Sequence, residues 1–162
     1  MKVKIFKITV WIACLSWMGM IFYFSSQPSG VSLQESGSIL VQMNKIEKDD
    51  VDNISDSKVL KLQHNIRKSA HFILYSGLGF LAALSIALIT YKSLITYSVA
   101  WLIAVLYSIS DEVHQYFVPG RGPTFSDIKL DTVSALAGVV TAVVIIELWR
   151  RRRIKLTEAK VG

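Results

Sequence analysis

The sequence predicts an all-α integral membrane bundle of four transmembrane helices, with both termini in the cytoplasm and a long extracytoplasmic loop after the first helix. Three observations predict it. Apolar residues make up 52% of the 162-residue chain and charged residues only 19%. The apolar residues fall into four blocks near the roughly 20 residues that a helix needs to cross a bilayer. Basic residues gather at the two ends of the chain and in one short turn, as the positive-inside rule requires of cytoplasmic segments.

The first span, about residues 5–24, is interrupted only by Lys7 and small polar residues. Lys2, Lys4 and Lys7 ahead of it also suit a secretory signal peptide. The run is too long for that reading, however, and Phe22-Tyr23-Phe24 stands where cleavage would need small residues. An uncleaved helix is expected. Cys14 has too little apolar sequence before it for a lipoprotein signal, and a lone cysteine excludes an internal disulfide.

Ser25-Ser26-Gln27-Pro28-Ser29-Gly30 is turn chemistry and ends that helix. The loop over about 25–67 then carries apolar residues at spacings of three and four. Val31, Leu33, Ile39, Leu40 and Met43 form one set, and Val51, Ile54, Val59, Leu60 and Leu62 another. Short amphipathic helices capping the bundle or lying on the membrane surface are expected.

The second span covers about 70–91 and the third about 94–112. The Tyr91-Lys92-Ser93 turn between them forces antiparallel neighbours. A second loop, about 116–128, holds Pro119-Gly120-Arg121-Gly122-Pro123, a stiff and tightly turned link. Thr124 or Ser126 can cap the fourth span, about 130–149, with Asp127 in its first turn. Residues 1–162 thus read as one membrane domain. Gly77, Gly79, Ala135 and Gly138 mark close helix packing through small residues. Trp11, Trp17, Tyr23, Tyr97, Trp101 and Trp149 read as span residues or interface anchors.

This topology puts ten of the eighteen basic residues inside, with only Glu147 and Glu158 as acidic company. The pI of about 9.5 is therefore mostly a topology signal. Arg150 to Arg153 abut a span, so contact with anionic inner-leaflet lipid is expected rather than nucleic-acid binding.

Polar residues near the spans collect at the opposite end. Lys68, His71 and Tyr75 share one face of the second span at i, i+3, i+7. Asp111, Glu112 and Gln115 end the third. Asp127 and Asp131 open the fourth at i, i+4, a stripe that Ser134 and Gly138 continue, and Arg121 hangs in the loop. Ionisable groups at membrane depth are a functional-site hypothesis by default. Asp111 and Asp131 are too short to snorkel and are expected to point into the bundle, paired with Lys68, Arg121 or His71. The bland alternative is a salt-bridge network that only fixes helix register.

His71 is the candidate acid/base or metal ligand, and Asp111 and Glu112 the candidate carboxylate partners. Successive helical residues diverge by about 100°, so those two need not face one pocket. An oxygen-rich cation site is conceivable, yet no His-x-x-x-His motif occurs, and neither metal nor cofactor is expected. Arg121 suits a phosphate or carboxylate, which guanidinium grips bidentately; Lys68, Tyr75, Gln115, Asp127 and Asp131 complete the candidate binding set. His114 reads as an interface residue and His64 as an exposed loop residue. No Gly-x-Ser-x-Gly elbow occurs.

Two ordered motifs carry a resemblance. Arg67-Lys68-Ser69-Ala70-His71-Phe72-Ile73-Leu74-Tyr75 precedes an apolar helix. Asp111-Glu112-Val113-His114-Gln115-Tyr116-Phe117-Val118-Pro119-Gly120-Arg121 is followed by Asp127 and a small-residue helix. Together, over about Arg67 to Gly138, the chain resembles the VanZ-like family of bacterial membrane proteins, named for a teicoplanin-resistance accessory protein. It departs from that pattern at Asp131, where the family's pattern has asparagine. The resemblance implies a multi-pass protein of the bacterial cell membrane, some relatives of which lower glycopeptide susceptibility; it implies no particular reaction.

Two functions fit. The polar end binds an anionic envelope lipid, a lipid-linked cell-wall precursor or a glycopeptide; or the protein is an acid/base or metal-assisted hydrolase or transferase acting on such a lipid-linked substrate at the outer leaflet. Transport is a weaker third, since four spans leave little room for alternating access.

Overall fold

Described over residues 2–52, 56–90 and 93–158, the chain is all-helical in the computed structural model. Five α-helices follow one another: α1 Lys2–Ser25, α2 Ser29–Gln42, α3 Ser57–Ala87, α4 Ser93–Gln115 and α5 Phe125–Glu158, with one 3-10 turn at Lys48–Asp50. Four of them, α1, α3, α4 and α5, are long and apolar enough to cross a membrane. Large apolar side chains lie exposed along all four, from Ile8 and Leu15 to Leu106 and Val140. That is the surface a lipid-facing bundle presents and a water-soluble one avoids.

One boundary differs from expectation. The segment 25–67 holds a short helix, α2, as expected, but its last eleven residues are continuous with the span as the first turns of α3. At 1.5 Å per residue α3 is about 46 Å long, well beyond the apolar core, so its first turns stand clear of the span. His64 is exposed as expected, but on that helical extension. Asp56 caps it by accepting from the Lys58 amide at 2.7 Å. Asn44, in the left-handed region at φ 54°, closes α2. There the Lys45 and Asn44 amides donate to the Leu40 and Val41 carbonyls, as in a Schellman cap. Ile54, Tyr91, Lys92 and Lys160 lie outside the described residues.

The core lies between α3 and α5, which run parallel because α4 returns the chain. Gly79 sits against the Ala135 carbonyl and Gly138 against the Ser76 carbonyl, so close that a Cβ at either would overlap backbone. Lipid tails give helices no hydrophobic reason to associate; close packing and hydrogen bonds must do it. Four seams duly carry a side chain donating to a carbonyl of the next helix. Ser76 reaches Ser134 across α3–α5 at 3.0 Å, and Trp101 reaches Thr132 across α4–α5 at 3.1 Å. Trp17 binds Leu74 across α1–α3 at 2.8 Å, and Tyr107 binds Met18 across α1–α4 at 2.6 Å. Trp17 and Trp101 are thus fasteners between helices rather than interface anchors.

Gly138→Leu is expected to lower the thermal unfolding midpoint in detergent sharply, since overpacking of about 1–3 kcal/mol or more must be relieved by separating two backbones. Gly19→Ala, where a Cβ meets nothing within 4 Å, is expected to leave the midpoint unchanged. Tryptophan fluorescence during heating checks both; equal losses would contradict this packing.

Candidate functional site

One end of the bundle gathers the polar residues. There the C-termini of α1 and α4 meet the first half of α3 and the start of α5, and α2 lies across them. The α3–α5 register continues outward from the glycine contacts as a ladder of polar pairs. His71 Nδ1 lies 3.2 Å from Asp131 Oδ1, and Lys68 Nζ lies 2.8 Å from Asp127 Oδ1. Asp131 is fully buried, and its second oxygen accepts from Ser108 of α4 at 3.1 Å. One carboxylate therefore joins three helices. Lys68 and Asp127 are each about a third exposed or less, and a pair in such a setting is worth of order 1 kcal/mol.

The α4 carboxylates face different ways, as the helical angle between them requires. Asp111 accepts from Ser25 of α1 at 2.8 Å and from Gln115 at 3.0 Å. Glu112 Oε2 accepts from the Thr124 amide at 2.7 Å, tying α4 to the residue that precedes α5. Its Oε1 is buried without a partner among the described residues. Asp111 therefore pairs with a hydroxyl and an amide, where an ion pair was expected. His114 packs on the Phe22 ring, centroids 4.5 Å apart, and meets Ser26 at 3.1 Å, an interface residue as anticipated.

Arg121 is placed by its loop. Val118-Pro119-Gly120-Arg121 closes a turn through the Arg121 amide and the Val118 carbonyl at 3.1 Å. Gly120 adopts φ 73°, open to glycine at the third position of a type II turn. The next step fastens α2: the Ser29 amide donates to the Pro119 carbonyl at 3.2 Å. The Arg121 side chain turns back to the Phe24 carbonyl at 3.2 Å. Burial lowers its proton affinity from the usual value and nearby Arg67 adds to that, while Asp111, Glu112 and Glu35 oppose it. It stays a cation throughout, as arginine does in proteins.

Between α1, α2 and α3 lies a cavity of about 320 Å³. His71, Tyr75 and Arg121 line it, and of the expected site residues these three are brought together there. Tyr75 is wholly buried, its ring near-parallel to His71 with centroids 6.2 Å apart. Asp111, Glu112, Gln115 and Asp131 stand behind the wall as its supports, and Lys68 with Asp127 brace the α3–α5 seam. Sequence reasoning passed over Arg67, Glu35, Ser32 and Ser36, which also line the cavity. Arg67 stands one helical turn before His71, a spacing that marked it. The α2 residues needed the knowledge that α2 packs on α3. Among the described residues no three His, Cys, Asp or Glu side chains converge as a metal site would require.

Compared with known protein families, the chain matches the model described as VanZ/LLP1 over residues 10–147, most of its length. No curated protein and no solved structure matches it.

Asp131→Ala is expected to lower stability by about 3–5 kcal/mol, the scale for removing one partner of a buried polar pair. Asp131→Asn should cost far less, because an amide can still accept from His71 and bond Ser108. Thermal unfolding of the two variants side by side checks this, and comparable losses would refute the assigned contacts.

Proposed function

The chain belongs to the VanZ/LLP1 family, and from that premise we propose that it binds an anionic ligand of the cell envelope at an outward-facing cavity. The ligand class is an envelope lipid, a lipid-linked cell-wall precursor or a glycopeptide, and binding it lowers teicoplanin susceptibility. The protein sits in the bacterial cell membrane, with both termini in the cytoplasm and α2 on the far side.

One observation carries this reading. Arg67, Arg121 and His71 face a common cavity whose other walls are largely apolar, including Ile21, Ile66 and Leu74. Among the described residues no carboxylate lies within ion-pairing distance of either guanidinium. Two guanidiniums without an ion-pair partner beside apolar walls suit an amphiphile with an anionic head.

The His71–Asp131 contact supports a second reading, an enzyme acting on a lipid-linked cell-wall substrate. A carboxylate on Nδ1 orients an imidazole and leaves Nε2 to move a proton, the division of labour in His–Asp pairs of hydrolases. Against it, two of the cavity's serine hydroxyls are engaged elsewhere: Ser25 donates to Asp111, and Ser36 to helix carbonyls. No nucleophile touches His71 among the described residues, so binding is preferred.

Cells expressing His71→Asn (whose amide can still donate to Asp131), Arg121→Ala, Glu112→Gln or Asp127→Asn are expected to lose the teicoplanin protection conferred by the unaltered chain while keeping normal membrane abundance. Susceptibility assays with quantitative membrane blots check both quantities. Loss of abundance in all four would assign the cluster to structure alone.

A further inference from the structure

Resting on the anion-binding reading and narrowing its ligand, we infer that the cavity takes a lipid phosphate, its headgroup held between Arg67 and Arg121 and its chain laid along Ile73 and Leu74. The phosphate choice follows from donor number and charge. Of the five N–H groups on the Arg121 guanidinium, one is used, on the Phe24 carbonyl. The Arg67 side chain makes no hydrogen bond or ion pair among the described residues. One guanidinium satisfies a carboxylate through its two oxygens. Two guanidiniums converging on one space offer more donors than a carboxylate can accept, and they match the three terminal oxygens of a phosphate monoester.

Charge agrees. The two arginines raise each other's electrostatic energy across the cavity, and Glu35 is the carboxylate that shares its lining. Asp131 is already committed to His71 and Ser108, and Asp111 to Ser25 and Gln115. The lining side chains therefore carry a net positive charge that a phosphate neutralises.

Size and outlet decide for a lipid. A volume of about 320 Å³ stands at the bottom of the range of roughly 300–1,000 Å³ that holds drug-sized ligands. A headgroup with the first part of a chain fits, whereas a whole glycopeptide does not. Ile73 lines the cavity and is also 62% exposed on the outer face of α3. The apolar wall thus runs without a break to the lipid-facing surface, which gives a hydrocarbon chain its way out.

Native mass spectrometry of the protein released from nonionic detergent tests this. The probes are palmitoyl lysophosphatidic acid, palmitate of the same chain length, and inorganic phosphate as competitor. Saturable retention of one lysophosphatidic acid is expected, at least ten-fold tighter than palmitate and insensitive to equimolar inorganic phosphate. Arg67→Gln, which breaks no hydrogen bond or ion pair among the described residues, should weaken retention several-fold with an unchanged unfolding midpoint. Arg67→Gln with Arg121→Gln should abolish it. Equal retention of palmitate would overturn the phosphate assignment while leaving the anion-binding reading intact. Displacement by equimolar inorganic phosphate would overturn the lipid assignment in favour of a free anion. Retention unaffected by the double substitution would overturn both this inference and the reading it rests on.

Discussion

The rest of the structure depends on how closely α3 and α5 approach at Gly79 and Gly138. Two parallel helices whose backbones touch have only one comfortable register, because a shift of one residue would drive a Cβ into a carbonyl. That register is read out along the whole seam. Ser76 meets Ser134, His71 meets Asp131 and Lys68 meets Asp127, separated in sequence by 58, 60 and 59 residues. The small residues therefore do more than allow packing. They set which ionisable groups face each other two and three turns further along.

The polar end divides by task. Asp131, Asp111 and Glu112 are buried and act as joints: the first links α3, α4 and α5, the second α1 and α4, the third α4 and the start of α5. Buried charges are tolerated when paired and are costly when orphaned, so these three hold the walls in place. Arg67, Arg121 and His71 face the space those walls enclose. α2 completes the enclosure, and it is held to the Arg121 loop at one end and against α3 through Gly37, whose surroundings include Val51 and Gln63. Gln63 in turn donates to the Val51 carbonyl at 2.9 Å. Moving the Arg121 loop would therefore move α2 as well, which couples the cavity-lining arginine to the cavity's roof.

Much of this was legible in the chain. The four spans follow from apolar block length, and the i, i+3, i+7 spacing of Lys68, His71 and Tyr75 placed them on one face, where they are found. Gly79 and Gly138 announced close packing because nothing else explains glycine mid-helix in an apolar run. Other features were out of reach for physical reasons. The helical extension of α3 through residues 57–67 reads as a short amphipathic helix of its own, and helix propensity in a mixed segment says little about where a span's helix begins. Trp17 and Trp101 read equally as span residues or interface anchors until their partners are known, since an indole serves either task. Glu35 and Ser32 belong to the cavity solely because α2 folds back over α3, a tertiary contact that no spacing within α2 reveals.

Binding an envelope ligand requires the cavity end to face away from the cytoplasm, and that is what most directly stands or falls by measurement. Gln34→Cys on α2 and Thr157→Cys near the end of α5 are both at exposed positions. In a Cys14→Ala background each can be challenged in intact cells with a membrane-impermeant maleimide. Labelling of Gln34→Cys in intact cells, with Thr157→Cys labelled only after permeabilisation, is the predicted result. The reverse pattern would contradict it, placing the arginine-lined cavity on the cytoplasmic side.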